Sequence, residues 1–504
     1  MAKLGISLNL LYIITIYSVL GLYLQIQNLI FPTVPQCLEA MHNHTLKYHY
    51  GIEPTKQLVS FMNSSMMLGS GIVLLISIFT ILPIAETKGR KFVCVYLRFF
   101  VGFFTNFLML VASIIQASEL YMIGEIFATV MVPIVYVTFV YIGECAPDAK
   151  RGFASTSLAV CGVVAHLLMY STSSPSLLGA PDTWFVYPFV CFLGSIALFV
   201  TTVGLPESPK WLVRVGNNET ARQAIRFYHG TDCDIDEVLV SMIREKNLTR
   251  ANQLTLRQIW NDDTLREALK LIIVFQIYNS TSPIVVERSY TILLQTSLGL
   301  TIQEALNLNL LIVIAMFPAR FIAPLLIDKI GRRALLFFAA LIMYFKLFVM
   351  LVAQTLAFFF GGSLLTKLLV YLSESLSEIY ASIMTIAIAA LLISELFPPS
   401  ARTAVFKLYM IAGIVSTAPL TLIFPIINVV FPPAFYIPII VIQPIIIIYL
   451  YRYLPETKAK PIADIVSDFD NAVSSRASSI CMENTPLLRK RAMTLQASIY
   501  DSFL

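Results

Sequence analysis

Charge is scarce in this chain. Of its 504 residues only 13% are charged, and 57% are hydrophobic. The mean hydropathy is +0.77. A soluble globular chain carries about 25% charged residues, so a water-facing surface cannot be built from this composition, and the surrounding solvent must be lipid. Paired external cysteines are also missing. There are seven cysteines, three of them inside apolar runs, and only Cys37 falls in a stretch expected on the external side. An external disulfide framework is therefore not expected. The first apolar run extends from near Gly5 to Phe31. It is too long for a signal-peptide core and has no small-residue cleavage site, so it is expected to stay as a span. No nucleophile–base pair, metal-ligand cluster or phosphate-binding loop occurs. An enzyme, a cofactor and a metal are accordingly not expected.

Long apolar runs make up most of the rest. A helical span needs about 20 apolar residues, and twelve runs qualify, approximately 9–31, 57–84, 92–117, 120–142, 152–172, 185–204, 268–295, 303–327, 333–358, 366–395, 403–424 and 430–453. Runs of this length are helices, since barrel strands are half as long. Residues 32–56 read as a polar loop, 205–267 as a charged linker and 455–504 as a polar tail. The expected organisation is an N-terminal six-helix bundle (1–204), the linker (205–267), a C-terminal six-helix bundle (268–454) and a disordered tail (455–504).

Lys and Arg set the orientation. Lys88, Arg90, Lys91, Lys150, Arg151, Lys329, Arg332 and Arg333 cluster in alternate loops, and the linker and tail are also rich in Lys and Arg. The opposite loops 173–184, 296–302, 359–365 and 425–429 hold no Lys or Arg. Both termini and the linker are expected in the cytosol and 32–56 outside. Its Asn43-His44-Thr45 is a sequon on the side where glycosylation occurs.

The two halves repeat. Glu86-Thr87-Lys88-Gly89-Arg90-Lys91 recurs 242 positions later as Asp328-Lys329-Ile330-Gly331-Arg332-Arg333 (86 to 328). Glu144, Pro147 and Arg151 recur 251 positions later as Glu395, Pro398 and Arg402 (144 to 395). Pro206-Glu207-Ser208 recurs 249 positions later as Pro455-Glu456-Thr457 (206 to 455). Three motifs in one order at nearly one spacing mark a duplicated six-span unit. The first two set an acid and an arginine at a helix end and the third adds another acid; carboxylate–guanidinium pairs are bidentate and directional. Such pairs can latch the halves on one side.

These motifs carry a family resemblance. Pro206-Glu207-Ser208-Pro209-Lys210-Trp211-Leu212 matches the PESPR(Y/W)L signature, and Leu454-Pro455-Glu456-Thr457-Lys458 the PETK ending, of the sugar-porter branch of the major facilitator superfamily. The chain is similar to the facilitative glucose transporters, a solute carrier family, over nearly its whole length. The resemblance implies an all-α membrane protein of twelve transmembrane helices in two pseudo-repeated six-helix bundles. It also implies a midplane cavity and alternating access. By the same analogy Arg90, Glu144, Arg151, Glu207, Arg332, Glu395, Arg402 and Glu456 form the cytosolic gate.

The family's sugar pocket is mostly absent. Its QQxxGxN run reads Phe275-Gln276-Ile277-Tyr278-Asn279-Ser280-Thr281 here. Ala159 stands for a span-five Gln, and Ile386-Ala387-Ile388-Ala389-Ala390 replaces the GPxPW motif. Gly124-Glu125 replaces the span-four Gly-Arg, and Arg98 is the candidate to supply the opposite charge. Span one offers Gln25, Gln27 and Asn28 instead of the acid used for proton coupling, so a facilitative uniporter is the simpler expectation.

Charged residues inside spans are costly and are functional candidates. They are Glu287, Arg288, Arg320, Lys346, Glu374 and Glu378. Glu374 and Glu378 share a helix face; Glu378 lies about 25 Å along its helix from Glu395, and Lys346 about 20 Å from the cytosolic end of its own. Pro283 precedes Glu287-Arg288, and transporters place substrate contacts at Pro-broken helices. These charges either brace the bundle or line a cavity for a charged solute. The substrate-binding candidates are Gln276, Asn279, Thr281, Asn28, Lys346 and Glu378.

The tail holds an acidic dileucine pattern, Glu483 to Leu487-Leu488, of the kind read by sorting adaptors. Tyr500-Asp501-Ser502-Phe503 and the terminal Ser502-Phe503-Leu504 fit weaker sorting and PDZ patterns. The plasma membrane or an endosomal or lysosomal membrane is the expected location. The partners expected are a small polar solute, the bilayer and such adaptors, with no nucleic acid. The function expected is facilitative transport of a small polar, sugar-like solute. An organic-ion transporter using the C-half charges and a non-transporting nutrient receptor are the alternatives.

Overall fold

The computed structural model describes residues 7–147, 151–230, 234–250, 254–318, 332–383, 392–393, 396–397 and 399–454; of 151–161, 245, 247–250, 332, 383, 399–400, 403 and 429 only the backbone path is described. Helices form because the bilayer core offers no water to the backbone, so each N–H and C=O must be satisfied along the chain itself. Six spans precede the linker: Leu8–Val19 with Leu22–Thr33, Lys56–Thr87, Phe92–Leu97 with Arg98–Ile115, Ser118–Ala128 with Met131–Cys145, Arg151–Thr172, and Val186–Thr202. Six follow it: Asp263–Thr281 with Pro283–Ser289 and Thr291–Ser297, Ile302–Met316, Arg332–Phe360, Leu364–Ile383, Pro399–Val430, and Tyr436–Tyr453. Seven helices among the described residues are individually long and apolar enough to cross, and the first two pieces of span seven form a bent pair. The expected all-α, twelve-span architecture stands.

Two polar stretches depart from the loop expectation. Within 32–56, residues Pro35–Tyr48 are a helix. Cys37, Leu38, Met41, His42, Thr45 and Leu46 are its buried positions, a three-to-four spacing hidden by a polar composition. This helix caps one end of the N-half. Cys37 Sγ donates to Gly179 O at 3.1 Å and Thr45 Oγ1 to Gln116 O at 3.1 Å. The Asn43 of the sequon lies in this helix and is half-buried.

The linker is likewise folded, as Pro209–Val215, Asn218–His229, Ile235–Arg250 and Leu256–Asn261. Ser208 caps the first of these over Pro209 at its first turn, and Asn217 caps the second. Ala221, Ala224, Ile225 and Tyr228 form one buried face of the second. With Leu212, Val213, Leu239 and Met242, three of these four make a small separate core. Tyr228 instead joins the main core, while Asn9 donates to Phe227 O at 3.0 Å, docking the linker on span one.

The halves meet at both ends. On the cap side Ser174 Oγ donates to Gln303 Oε1 at 2.6 Å, and Phe31 meets Tyr290 edge-on at 5.9 Å. On the linker side Tyr136 stacks on Phe406 at 4.6 Å.

His42 is buried in the cap between Ser118 Oγ at 2.8 Å and Asn63 Oδ1 at 3.1 Å. Burial lowers its pKa from the ordinary 6.5. A base with a depressed folded pKa stabilises the fold fully above its unfolded value and loses that contribution as pH falls. The cap should therefore loosen as pH drops below about 6.5. Hydrogen exchange of the 37–46 amides should accelerate over that range in the wild type, and His42→Gln should flatten the pH dependence.

Candidate functional site

Span seven is broken by its own sequence. Pro283 has no N–H to continue the ladder and starts a new helix. Ser282 turns extended before it, and the two pieces meet at 42°. A second break falls at Tyr290. The short middle piece presents Glu287 and Arg288 to the interior, as the Pro-broken pattern leads one to expect.

Around it lies a cavity of about 300 Å³. Both halves wall it. Asn28 of span one, Glu125 of span four and His166 of span five face it from the N-half; Glu287, Arg288, Glu374 and Glu378 face it from the C-half. Glu125 stands seven residues into span four and Glu374 ten into span ten, about 10 and 15 Å from the cap-side ends. The cavity thus occupies the cap-side half of the molecule.

Two ion pairs shape its C-half wall. Lys346 and Glu287 are 1% and 5% exposed and form a direct salt bridge. Tyr436 donates its hydroxyl to the other Glu287 oxygen at 2.9 Å. Arg288 bonds Glu378 at 3.0 Å, with the guanidinium half open to the cavity. Nearby, Gln295 and Asn309 exchange amide hydrogen bonds at 3.1 and 2.8 Å, so those amides are already committed.

The six sequence candidates divide. Asn28 and Glu378 line the cavity. Lys346 sits behind Glu287 as its counter-charge. Gln276, Asn279 and Thr281 turn into the C-half bundle: Gln276 donates to Ser280 at 3.1 Å, Asn279 accepts from Tyr380 at 3.3 Å, and Thr281 accepts from Gln443 at 3.0 Å. His166, Asn309 and Tyr436 went unremarked in the sequence, since a lone polar residue in an apolar run carries no spacing signal. Glu125 and Arg98 do not pair. Arg98 is 3% exposed, with its guanidinium over the rings of Tyr17 and Tyr23 and bonded to Thr138. It opens the helix that Ile115 closes, 17 residues away, whereas Glu125 stands near the cap-side start of span four. Helical rise alone holds the two at different depths. No cluster able to hold a metal occurs among the described residues.

The gate motifs are partly visible. Arg90 grips Glu144 with two bonds of 3.2 and 3.3 Å and donates to Ala85 O at 2.7 Å. Glu207 accepts the backbone N–H groups of Arg90, Lys91 and Ser208 at 3.1, 3.0 and 2.8 Å. Ser208 Oγ donates to Glu144. Burial raises the Glu207 pKa, against those N–H groups and the Arg90 charge. The described latch therefore ties the 2–3 loop, span four and the linker start within the N-half. Among the described residues these bonds stay within the N-half. Arg402 bonds Phe397 O at 3.0 Å inside the C-half. The side chains of Arg151 and Arg332, and Glu395, Glu456, Glu483, Leu487 and Leu488, lie outside the described residues.

Two outcomes follow. Lys346→Met should strand Glu287 without its counter-charge and cost about 3–5 kcal/mol, and adding Glu287→Gln should recover most of it; unfolding midpoints of the detergent-purified variants report this. Gly89 has φ +104° and a Cβ there would stand 2.1 Å from Glu207 Oε2. Gly89→Ala should cost about 1–3 kcal/mol, whereas Gly204→Ala, with nothing within 4 Å, should be close to neutral on the same scale.

The sequence profile of the sugar (and other) transporter family matches residues 15–469. The mouse (Mus musculus) protein "Solute carrier family 2, facilitated glucose transporter member 7" is 27% identical over 235 residues, 45% of this chain and 45% of that protein. Trehalose transporter 1 of Drosophila melanogaster is 27% identical over 275 residues, 53% of this chain and 30% of that protein. The chain spans less than half the length of either relative. The fold matches the partially occluded inward open form of the xylose transporter XylE from E. coli, with TM-score 0.67 at 16% identity, over 90% of this chain and 100% of that one. The chain belongs to the sugar (and other) transporter family, in the sugar-porter branch of the major facilitator superfamily.

Proposed function

We propose that this chain is a transporter rather than an enzyme, carrying a small polar, sugar-type solute across a membrane by alternating access without a coupled ion. The observation that carries the reading is the polar cavity walled by both halves and bridged at both ends. A solute held there touches both bundles, so rocking one against the other can expose it to either side. The relatives named for glucose and trehalose transport supply the substrate class. Span one presents amides rather than an acid, which favours uniport.

The Lys/Arg pattern puts the linker side in the cytosol with both termini, and the cap side outside or in the lumen. Glycosylation at Asn43 would then precede packing of the cap helix. The dileucine pattern of Glu483, Leu487 and Leu488 favours recognition by sorting adaptors and a plasma-membrane or endosomal location.

Uptake of labelled glucose, trehalose and xylose into proteoliposomes, with and without a pH gradient, tests the proposal. Saturable uptake indifferent to the gradient is expected. Ser174→Cys with Gln303→Cys, oxidised across the cap-side bridge, should cut that uptake about ten-fold and reductant should restore it. Absence of uptake for every solute would favour a receptor on the same scaffold.

A further inference from the structure

The family's neutral hydroxyl pocket is missing here, and what replaces it is an imbalance of charge. Four carboxylates face the cavity: Glu125, Glu287, Glu374 and Glu378. Two cations stand against them, and the His166 imidazole faces the same cavity. Arg288 is bonded to Glu378 and Lys346 to Glu287. Glu374 accepts a hydrogen bond from Gln295 but has to share the Lys346 charge with Glu287. Glu125 reaches in from the opposite half, and its Oε2 is buried without a hydrogen-bond partner among the described residues. A carboxylate in this position is costly unless something brings it a donor and a positive charge. A sugar hydroxyl brings only the donor. A protonated amine brings both, in one group, with charge-assisted bonds.

We infer that the solute of this cavity carries a positively charged amine, received by Glu125 from the N-half and Glu374 from the C-half. The inference rests on the transport reading of the same cavity and narrows its substrate class. The remaining wall suits such a solute. Arg288 and Asn28 offer donors to its hydroxyl or carbonyl oxygens. Because the two carboxylates come from different halves, an ammonium between them would also draw the halves together, linking occupancy to closure.

The test is proteoliposome uptake of glucosamine, choline and putrescine beside glucose and N-acetylglucosamine. Glucosamine and N-acetylglucosamine differ in the charge of one nitrogen. At least one amine should enter ten-fold faster than either neutral sugar. Glu125→Gln and Glu374→Gln should each collapse that ratio toward one, in protein whose unfolding midpoint matches the wild type. The wild-type ratio stands on its own should a variant not fold. Neutral hexose entering as fast as every amine overturns the inference and leaves the transport reading intact. Gradient-driven accumulation of hexose that Glu125→Gln abolishes also overturns it, since a proton then fills the site. No uptake of any solute overturns the transport reading and this inference with it.

Discussion

Lipid offers the backbone and its charges nothing to bond to. Every other feature follows from that. The chain crosses as helices because only a helix satisfies its own ladder. The helices are interrupted at Gly21 in span one and bent at Pro283 in span seven. Glu125 apart, the charges inside are met by a partner. Lys346 and Glu287 are the clearest case, each nearly inaccessible and each uncomfortable without the other.

That constraint also separates two kinds of charge. One kind braces. Arg90, Glu144 and Glu207 knot the 2–3 loop to span four and to the start of the linker, in a largely buried cluster. Gly89 is part of the knot because no side chain fits between its backbone and the Glu207 carboxylate. The other kind lines the cavity. Arg288 and Glu378 are paired yet open, and Glu125 faces them across the boundary between the halves. A bracing pair has both members on one half; a working site draws on two.

Amphipathic order explains the two stretches whose composition misleads. Pro35–Tyr48 and Asn218–His229 are polar on average, and each buries one helical face. Average polarity reads as loop, whereas spacing reads as a docked helix. His42, Cys37 and Thr45 in the cap, and Ala221, Ala224, Ile225 and Tyr228 in the linker, are the residues that carry the difference.

Twelve apolar runs, three repeated motifs and the Pro283 break were all legible in the residues, because hydrophobic length, local spacing and proline chemistry are properties of the chain itself. So were the charges at Glu287, Lys346, Glu374 and Glu378, since any ionised group in an apolar run stands out. Which charge pairs with which was not legible. Arg98 and Glu125 looked like partners by helix order, yet their depths differ by several turns. Gln276, Asn279 and Thr281 looked like cavity groups by motif position, yet helix rotation turns them toward Ser280, Tyr380 and Gln443. Depth and rotation come from packing among helices distant in the chain, and only the tertiary structure decides them.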